Sequence, residues 1–118
     1  MKIQASFARK TTSKYGAKKT MVGDVQFASK KEAQRYMELQ LLERAGEITD
    51  LRRQVKFELM GQHRPLYTRT GRKMKYTADF AYIENGVEVI EESKGVWTRD
   101  FEVRYAVAIA MGLNLRVT

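Results

Sequence analysis

The chain contains no cysteine, one histidine (His63) and one proline (Pro65). Without thiols there is no disulfide framework, no thiolate zinc site and no cysteine nucleophile. A lone imidazole excludes any site that needs two, including a histidine-and-metal HNH-type nuclease, an HExxH protease and a carbonic-anhydrase-like zinc site. Long apolar runs are also missing. None approaches the roughly 20 residues needed to cross a bilayer, and no signal-peptide core follows Met1. The sequence therefore predicts a soluble, cytoplasmic protein with no membrane partner. Acids are scarce too: 14 against 22 Lys and Arg, a formal charge of +8. A surface of that sign concentrates polyanions, nucleic acid above all. At 118 residues there is room for one domain with one modest core.

Residues 1–26 carry Lys2, Arg9, Lys10, Lys14, Lys18 and Lys19, a single acid, Asp24, and no sustained apolar period. They read as a basic N-terminal arm that orders on a polyanion, or equally as a solubilising tail. The remainder, 27–118, reads as one domain. Ser29-Lys30-Lys31-Glu32 fits an S-x-x-E capping box and opens a helix that Gly46 ends. Ala33, Tyr36, Met37, Leu41 and Ala45 set its apolar face, which Leu39 and Leu42 widen. Ile48 and Leu51 lead across a short connection. Gln54–Leu59 alternates as a strand, and Met60–Lys73 is a polar, basic loop or hairpin tip. Tyr76–Ile83 and Val87–Glu92 pair across an Asn85-Gly86 turn. A second helix, capped by Thr98 or Asp100, runs to Gly112, and Leu113–Val117 closes the chain as a strand. The order is arm, α, β, β, β, α, β.

Asp79 interrupts an apolar strand where Asp has poor propensity. Counted from the turn, Glu92 lies at about the same distance on the partner strand, and alternation puts Lys94 on the same side as Glu92, with Glu91 and Ser93 turned away. Two carboxylates beside one ammonium suit Mg²⁺ or Mn²⁺, which activates water for attack on a phosphoryl group while the lysine orients that water or steadies the transition state. The same spacing also fits a surface Asp beside a Glu–Lys ion pair on an exposed sheet face.

Asp79 followed by Glu92-Ser93-Lys94 resembles the PD-(D/E)XK nuclease signature on its β-hairpin. Further segments resemble a phage-encoded family catalogued as domain of unknown function 1064. They are Tyr15-Gly16, Phe27-Ala28-Ser29-Lys30-Lys31-Glu32-Ala33, Ala45-Gly46-Glu47-Ile48, residues 51–59, residues 76–80 and residues 89–95, with Thr98 shortly after. That family is similar to minimal PD-(D/E)XK endonucleases, phage junction resolvases and the nuclease subunit of some transposases. Two departures stand out: Ala78 replaces the signature proline, and Glu92 stands where the family pattern favours Asp. The resemblance implies an α/β fold with an α-β-β-β-α-β restriction-endonuclease-like core, a mixed central sheet flanked by helices.

It also implies a Mg²⁺- or Mn²⁺-dependent deoxyribonuclease acting in the host cell interior on phage DNA, selective for branched or junction DNA. Asp79, Glu92 and the Ser93 carbonyl are the implied metal ligands and Lys94 the catalytic lysine. Glu32 is either a further ligand or only the helix cap. The expected nucleic-acid contacts are Lys18, Lys19, Lys30, Lys31, Gln54, Arg69, Arg72 and Lys73, although Gln54 also reads as a plain exposed strand residue. His63 reads as a loop residue, and Trp97 as packing at the strand–helix corner. The expected partners are DNA, a second copy in a homodimer, since one site cuts one strand, and phage recombination or packaging proteins. A non-catalytic basic DNA-binding module, or a nuclease subunit dependent on a partner, is the rival expectation.

Overall fold

A computed structural model describes residues 19–94 and 96–118. Most of the expected arm, including Tyr15, Gly16 and Lys18, lies outside the described residues, as does Gly95. The fold is mixed α/β: β1 (Thr20–Val22), β2 (Val25–Phe27), α1 (Lys30–Arg44), β3 (Ile48–Glu58), β4 (Lys75–Glu84), β5 (Val87–Glu92), α2 (Arg99–Ala110) and β6 (Leu115–Val117). One four-stranded sheet has the order β3-β4-β5-β6, and β1 and β2 form a separate hairpin. Among the described residues no helix is long and apolar enough to cross a membrane.

The hairpin corrects the arm reading for residues 20–26. Gly23, at φ 59°, opens a two-residue turn with Asp24, and Val22 and Val25 pack against the core beneath α1. Gly-Asp between apolar residues is a hairpin signal, and the basic composition around it masked it.

Helix α1 begins as its capping residue requires, with the Ser29 hydroxyl accepting from the Glu32 amide at 3.1 Å. It ends in a Schellman closure: the Gly46 amide donates to Glu43 and the Glu47 amide to Leu42, with Gly46 at φ 82°. The inward stripe is Ala33, Tyr36, Leu39 and Leu42, while Met37 and Leu41 face outward at 44% and 60% exposure. The stripe is thus centred on Leu39, three residues on from Tyr36, and the expected Met37–Leu41 edge is solvent-facing.

Strand β3 starts six residues earlier than the alternation from Gln54 predicts. Asp50 adopts φ 55° and the pairing with β4 slips between Thr49 and Arg52. Such a bulge shifts the inside–outside phase, so Ile48-Thr49-Asp50-Leu51 reads as a connection although it is paired chain. The β4–β5 hairpin forms as expected, with Asn85 at φ 53° and Gly86 at φ 77° making the turn. Thr98 rather than Asp100 caps α2 through the Phe101 amide. β6 then lies parallel to β5.

The two helices cover different parts of the sheet. Under α1, Phe27, Leu39, Ile48, Phe80, Tyr82 and Val89 are buried, with Tyr36 stacked 6.2 Å from Phe80. Under α2, Leu59, Tyr76, Ala78, Ala81, Ile90 and Phe101 form the second cluster. Between β3 and β4 the connection folds into two small loops. Leu66 closes the end of the ladder by donating to Leu59 and accepting from Met74, and Met60↔Pro65 and Tyr67↔Lys73 are bridge pairs.

Candidate active site

The β4–β5 ladder runs to the pair Phe80 with Glu91. One step further along the strands Asp79 falls beside Glu92, and cross-strand partners project from the same face. The Ser93 amide donates to Asp79 Oδ2 at 2.8 Å, tying the two strands where they separate. β6 braces the same point from the other edge: the Thr118 amide donates to Glu92 O and the Lys94 amide to Thr118 O.

β4 also rolls here. Tyr76 and Ala78 pack in the α2 cluster, whereas Phe80 and Tyr82, of the same parity, pack in the α1 cluster. The strand changes sides at Asp79. Opposite it, between the pairs Arg53↔Phe80 and Val55↔Ala78, Gln54 adopts φ 51°. That left-handed conformation costs a residue with a Cβ roughly 1–2 kcal/mol, so the surroundings must hold it. Because of the roll, Tyr76 reaches the acidic pair, donating its hydroxyl to Glu92 Oε1 at 3.1 Å.

Glu32 arrives from the first turn of α1. Its amide satisfies the Ser29 cap, while its carboxylate turns toward the sheet, where Gln54 Nε2 donates to Oε2 at 3.3 Å. The Ser29 cap therefore uses the backbone of residue 32, while the side chain faces the acids, bonds Asp79 and also accepts from the Ala28 backbone just ahead of the helix.

Glu32 and Glu92 are buried, at 4% and 7% exposure. Loss of hydration, and then the negative charge of Asp79, push both carboxyls up to about 7. Burial also raises Asp79, against the opposing pull of the Ser93 amide and the Lys94 ammonium. Lys94 lowers Glu92 as well, and its Nζ rests 4.4 Å from the centre of the Phe101 ring. Arg53 lies over the ring of Phe27 at 4.4 Å and lowers Glu32. Three mutually repelling carboxyls thus share one region with less positive charge than they need.

Residues 12–116 match the model of a family described as protein of unknown function (DUF1064). The chain belongs to the DUF1064 family. No curated protein and no solved structure matches it significantly.

In this DUF1064 fold the donor types suit a hard divalent cation: three carboxylates, with the Ser93 carbonyl on the same segment. Among the described residues, however, no three His, Asp or Glu side chains converge into a ready-made metal cage. Each acid already has internal partners: Glu32 has Gln54 and the Ala28 backbone, Asp79 has the Ser93 amide, Glu92 has Tyr76, and Glu32 and Asp79 also bond each other. The donor chemistry fits the ion, and each of these bonds occupies one oxygen of its carboxylate.

Glu91 is turned away from this group, as alternation demands, but it is no idle surface residue. It is fully buried, held by Arg35 Nε at 2.6 Å and Nη2 at 3.1 Å and by the Tyr82 hydroxyl. This ion pair ties α1 to β5 directly behind Glu92.

The expected nucleic-acid residues separate. Lys31 is committed to carbonyls, donating to Thr118 O at 2.8 Å and Lys94 O at 3.4 Å. Gln54 belongs to the acidic group rather than to a distant surface. Lys73 pairs with Glu58 at 3.4 Å. Lys19, Lys30, Arg69 and Arg72 are exposed. His63 sits in the exposed loop, and Trp97 packs edge-on against Phe101 and Tyr105 while staying 47% exposed. Sequence reasoning missed Tyr76, Arg53 and Phe101. All three read as ordinary core or surface positions until the roll at Asp79 is known.

Proposed function

We propose that this DUF1064 chain is a divalent-metal-dependent DNA endonuclease of the PD-(D/E)XK kind, hydrolysing phosphodiester bonds. The register of the β4–β5 ladder carries this reading. It sets Asp79 beside Glu92, with Lys94 two residues on, at the point where Glu32 arrives from α1. From α1 onward the element order is α-β-β-β-α-β, that of the restriction-endonuclease-like core. The net charge of +8 supports a polyanionic substrate.

In this reading Asp79, Glu92 and the Ser93 carbonyl hold Mg²⁺ or Mn²⁺, and Glu32 joins them. The bound ion supplies Lewis acidity toward water and phosphate. Lys94 contributes positive charge for a phosphate oxygen, and the carboxyls raised to about 7 in the metal-free protein would give up their protons on binding the ion. Gln54 orients Glu32, and Tyr76 orients Glu92. Cutting both strands of a duplex, or both sides of a junction, is most simply achieved by a homodimer.

The open arrangement of the acids favours a second reading, a basic DNA-binding module that keeps this scaffold without hydrolysis. One assay separates the two. Plasmid and four-way-junction DNA are incubated with Mg²⁺, Mn²⁺ or EDTA and with wild type, Asp79→Asn or Lys94→Ala. Metal-dependent cutting that falls at least about a hundredfold in both variants supports the nuclease. Binding without cutting under every metal condition supports the module.

A further inference from the structure

From Leu59 through Ala78 the chain has no acid, yet it carries Arg64, Arg69, Arg72, Lys73 and Lys75. Structurally this is one end of the molecule: the β3–β4 ladder beyond Asp79, together with its two closing loops, whose one acid, Glu58, sits opposite Lys75 and pairs with Lys73. On the exposed side of that ladder Gln54, Lys56, Thr77 and Lys75 are all solvent-facing and lead outward from Asp79. The loop Thr68–Arg72 is held tight, with the Thr68 amide donating to Arg72 O, the Arg72 amide donating to Thr68 Oγ1, and Gly71 at φ 88°. Among the described residues the Arg69 and Arg72 side chains have no acidic partner.

The other end of the same ladder has the opposite character. Asp50, Glu84 and Glu88 lie at the β4–β5 turn end, and the arginines there are already paired: Arg52 with Glu88 and Asp50, Arg116 with Glu84. The acidic group around Asp79 sits between the two ends. A polyanion at that group is drawn toward one end and not the other.

We infer that the chain takes duplex DNA asymmetrically, with the helix lying on one side of the cleaved bond, along the β3–β4 ladder. There Lys56, Lys75, Arg69 and Arg72 contact its backbone. The four steps from Asp79 to Lys75 span about 13 Å of strand and the Thr68–Arg72 loop lies past the strand's end, so Arg69 and Arg72 act about six base pairs from the reacting phosphate. The side toward Glu84 and Glu88 needs no duplex. This inference rests on the nuclease reading for where the cut falls, but its binding surface is tested without cutting.

Fluorescein-labelled duplex of 30 base pairs is titrated in EDTA at several salt concentrations with wild type and Arg69→Ala/Arg72→Ala. The double variant is expected to bind at least about tenfold more weakly, with the slope of log K against log salt shallower by about 1.8. The duplex, end-labelled on one strand so that the cut made by a single active site is followed, is then trimmed from each side of that cut in Mn²⁺. Shortening one side below about six base pairs should slow cutting about tenfold or more, and shortening the other should not; the double variant should lose that dependence. An unchanged salt slope, or equal sensitivity on both sides, overturns the inference. If wild type binds with the expected slope but cuts nothing, the nuclease reading fails while the surface stands.

Discussion

The amide of Ser93 donates to Oδ2 of Asp79 across 2.8 Å, so the strand carrying Glu92 and Lys94 grips the carboxylate of its neighbour directly. This bond fixes Asp79 at the point where β4 rolls from one core cluster to the other, and it turns a loose sequence pattern into a defined group of three acids and a lysine. Several consequences can be measured.

Stability should depend on pH in an uncommon direction. Folding raises Glu32 and Glu92 from 4.5 to about 7, by burial first and then by the charge of Asp79. Groups raised in the folded state contribute stability that is fully present below pH 4.5 and lost as pH climbs through about 7. Metal-free protein is expected to melt at a lower temperature at about pH 8 than at about pH 5, with Mg²⁺ restoring much of the loss at the higher pH and little at the lower, where protons compete. Thermal scans across this range would refute the assignment if Tm rose steadily with pH or ignored Mg²⁺.

Ser29 and Glu32 should come apart on substitution. The hydroxyl caps the helix through the backbone of residue 32, whereas the carboxylate reaches Gln54 and Asp79 in the acidic group besides accepting from the Ala28 backbone. Ser29→Ala should cost about 1 kcal/mol of stability and leave cutting intact. Glu32→Gln should keep the fold and lose activity. Equal loss of stability in both variants, with activity spared, would make Glu32 a capping residue only.

Glu91 gives the complementary case. Removing it leaves Arg35, only 23% exposed, with the exposed Glu38 as its remaining acid. Glu91→Ala should destabilise by about 3 kcal/mol, the lower part of the range for breaking a buried ion pair. Cutting per folded molecule should persist, because the side chain lies behind the strand. Arg35→Leu/Glu91→Leu should recover stability relative to the single change. Chemical denaturation of the three proteins beside wild type decides it.

The sequence disclosed the centre of this arrangement and hid its edges, for local reasons. Asn85-Gly86 announces a two-residue turn, and counting from it pairs Asp79 with Glu92 because that hairpin has no bulge. Where regular geometry breaks, reading by period fails. The slip at Asp50 concealed half of β3, and the roll at Asp79 concealed how Tyr76 reaches Glu92. Basic composition disguised the β1–β2 hairpin as an arm. In the sequence the capping box accounts for Glu32 by itself, and only contacts across the chain show its carboxylate at Gln54 and Asp79. Neither the left-handed conformation of Gln54 nor the burial of Glu91 against Arg35 has a one-dimensional signal, since each depends on contacts between elements far apart in the chain.

The most direct test of the whole account is calorimetric titration of Mn²⁺ into wild type and Asp79→Asn at about pH 7.5 without DNA. The account predicts saturable binding by wild type, with protons released from the raised carboxyls, and at least about tenfold weaker binding by the variant. Undetectable binding to wild type, or equal binding to both proteins, would contradict a metal centre at Asp79, Glu92 and Glu32.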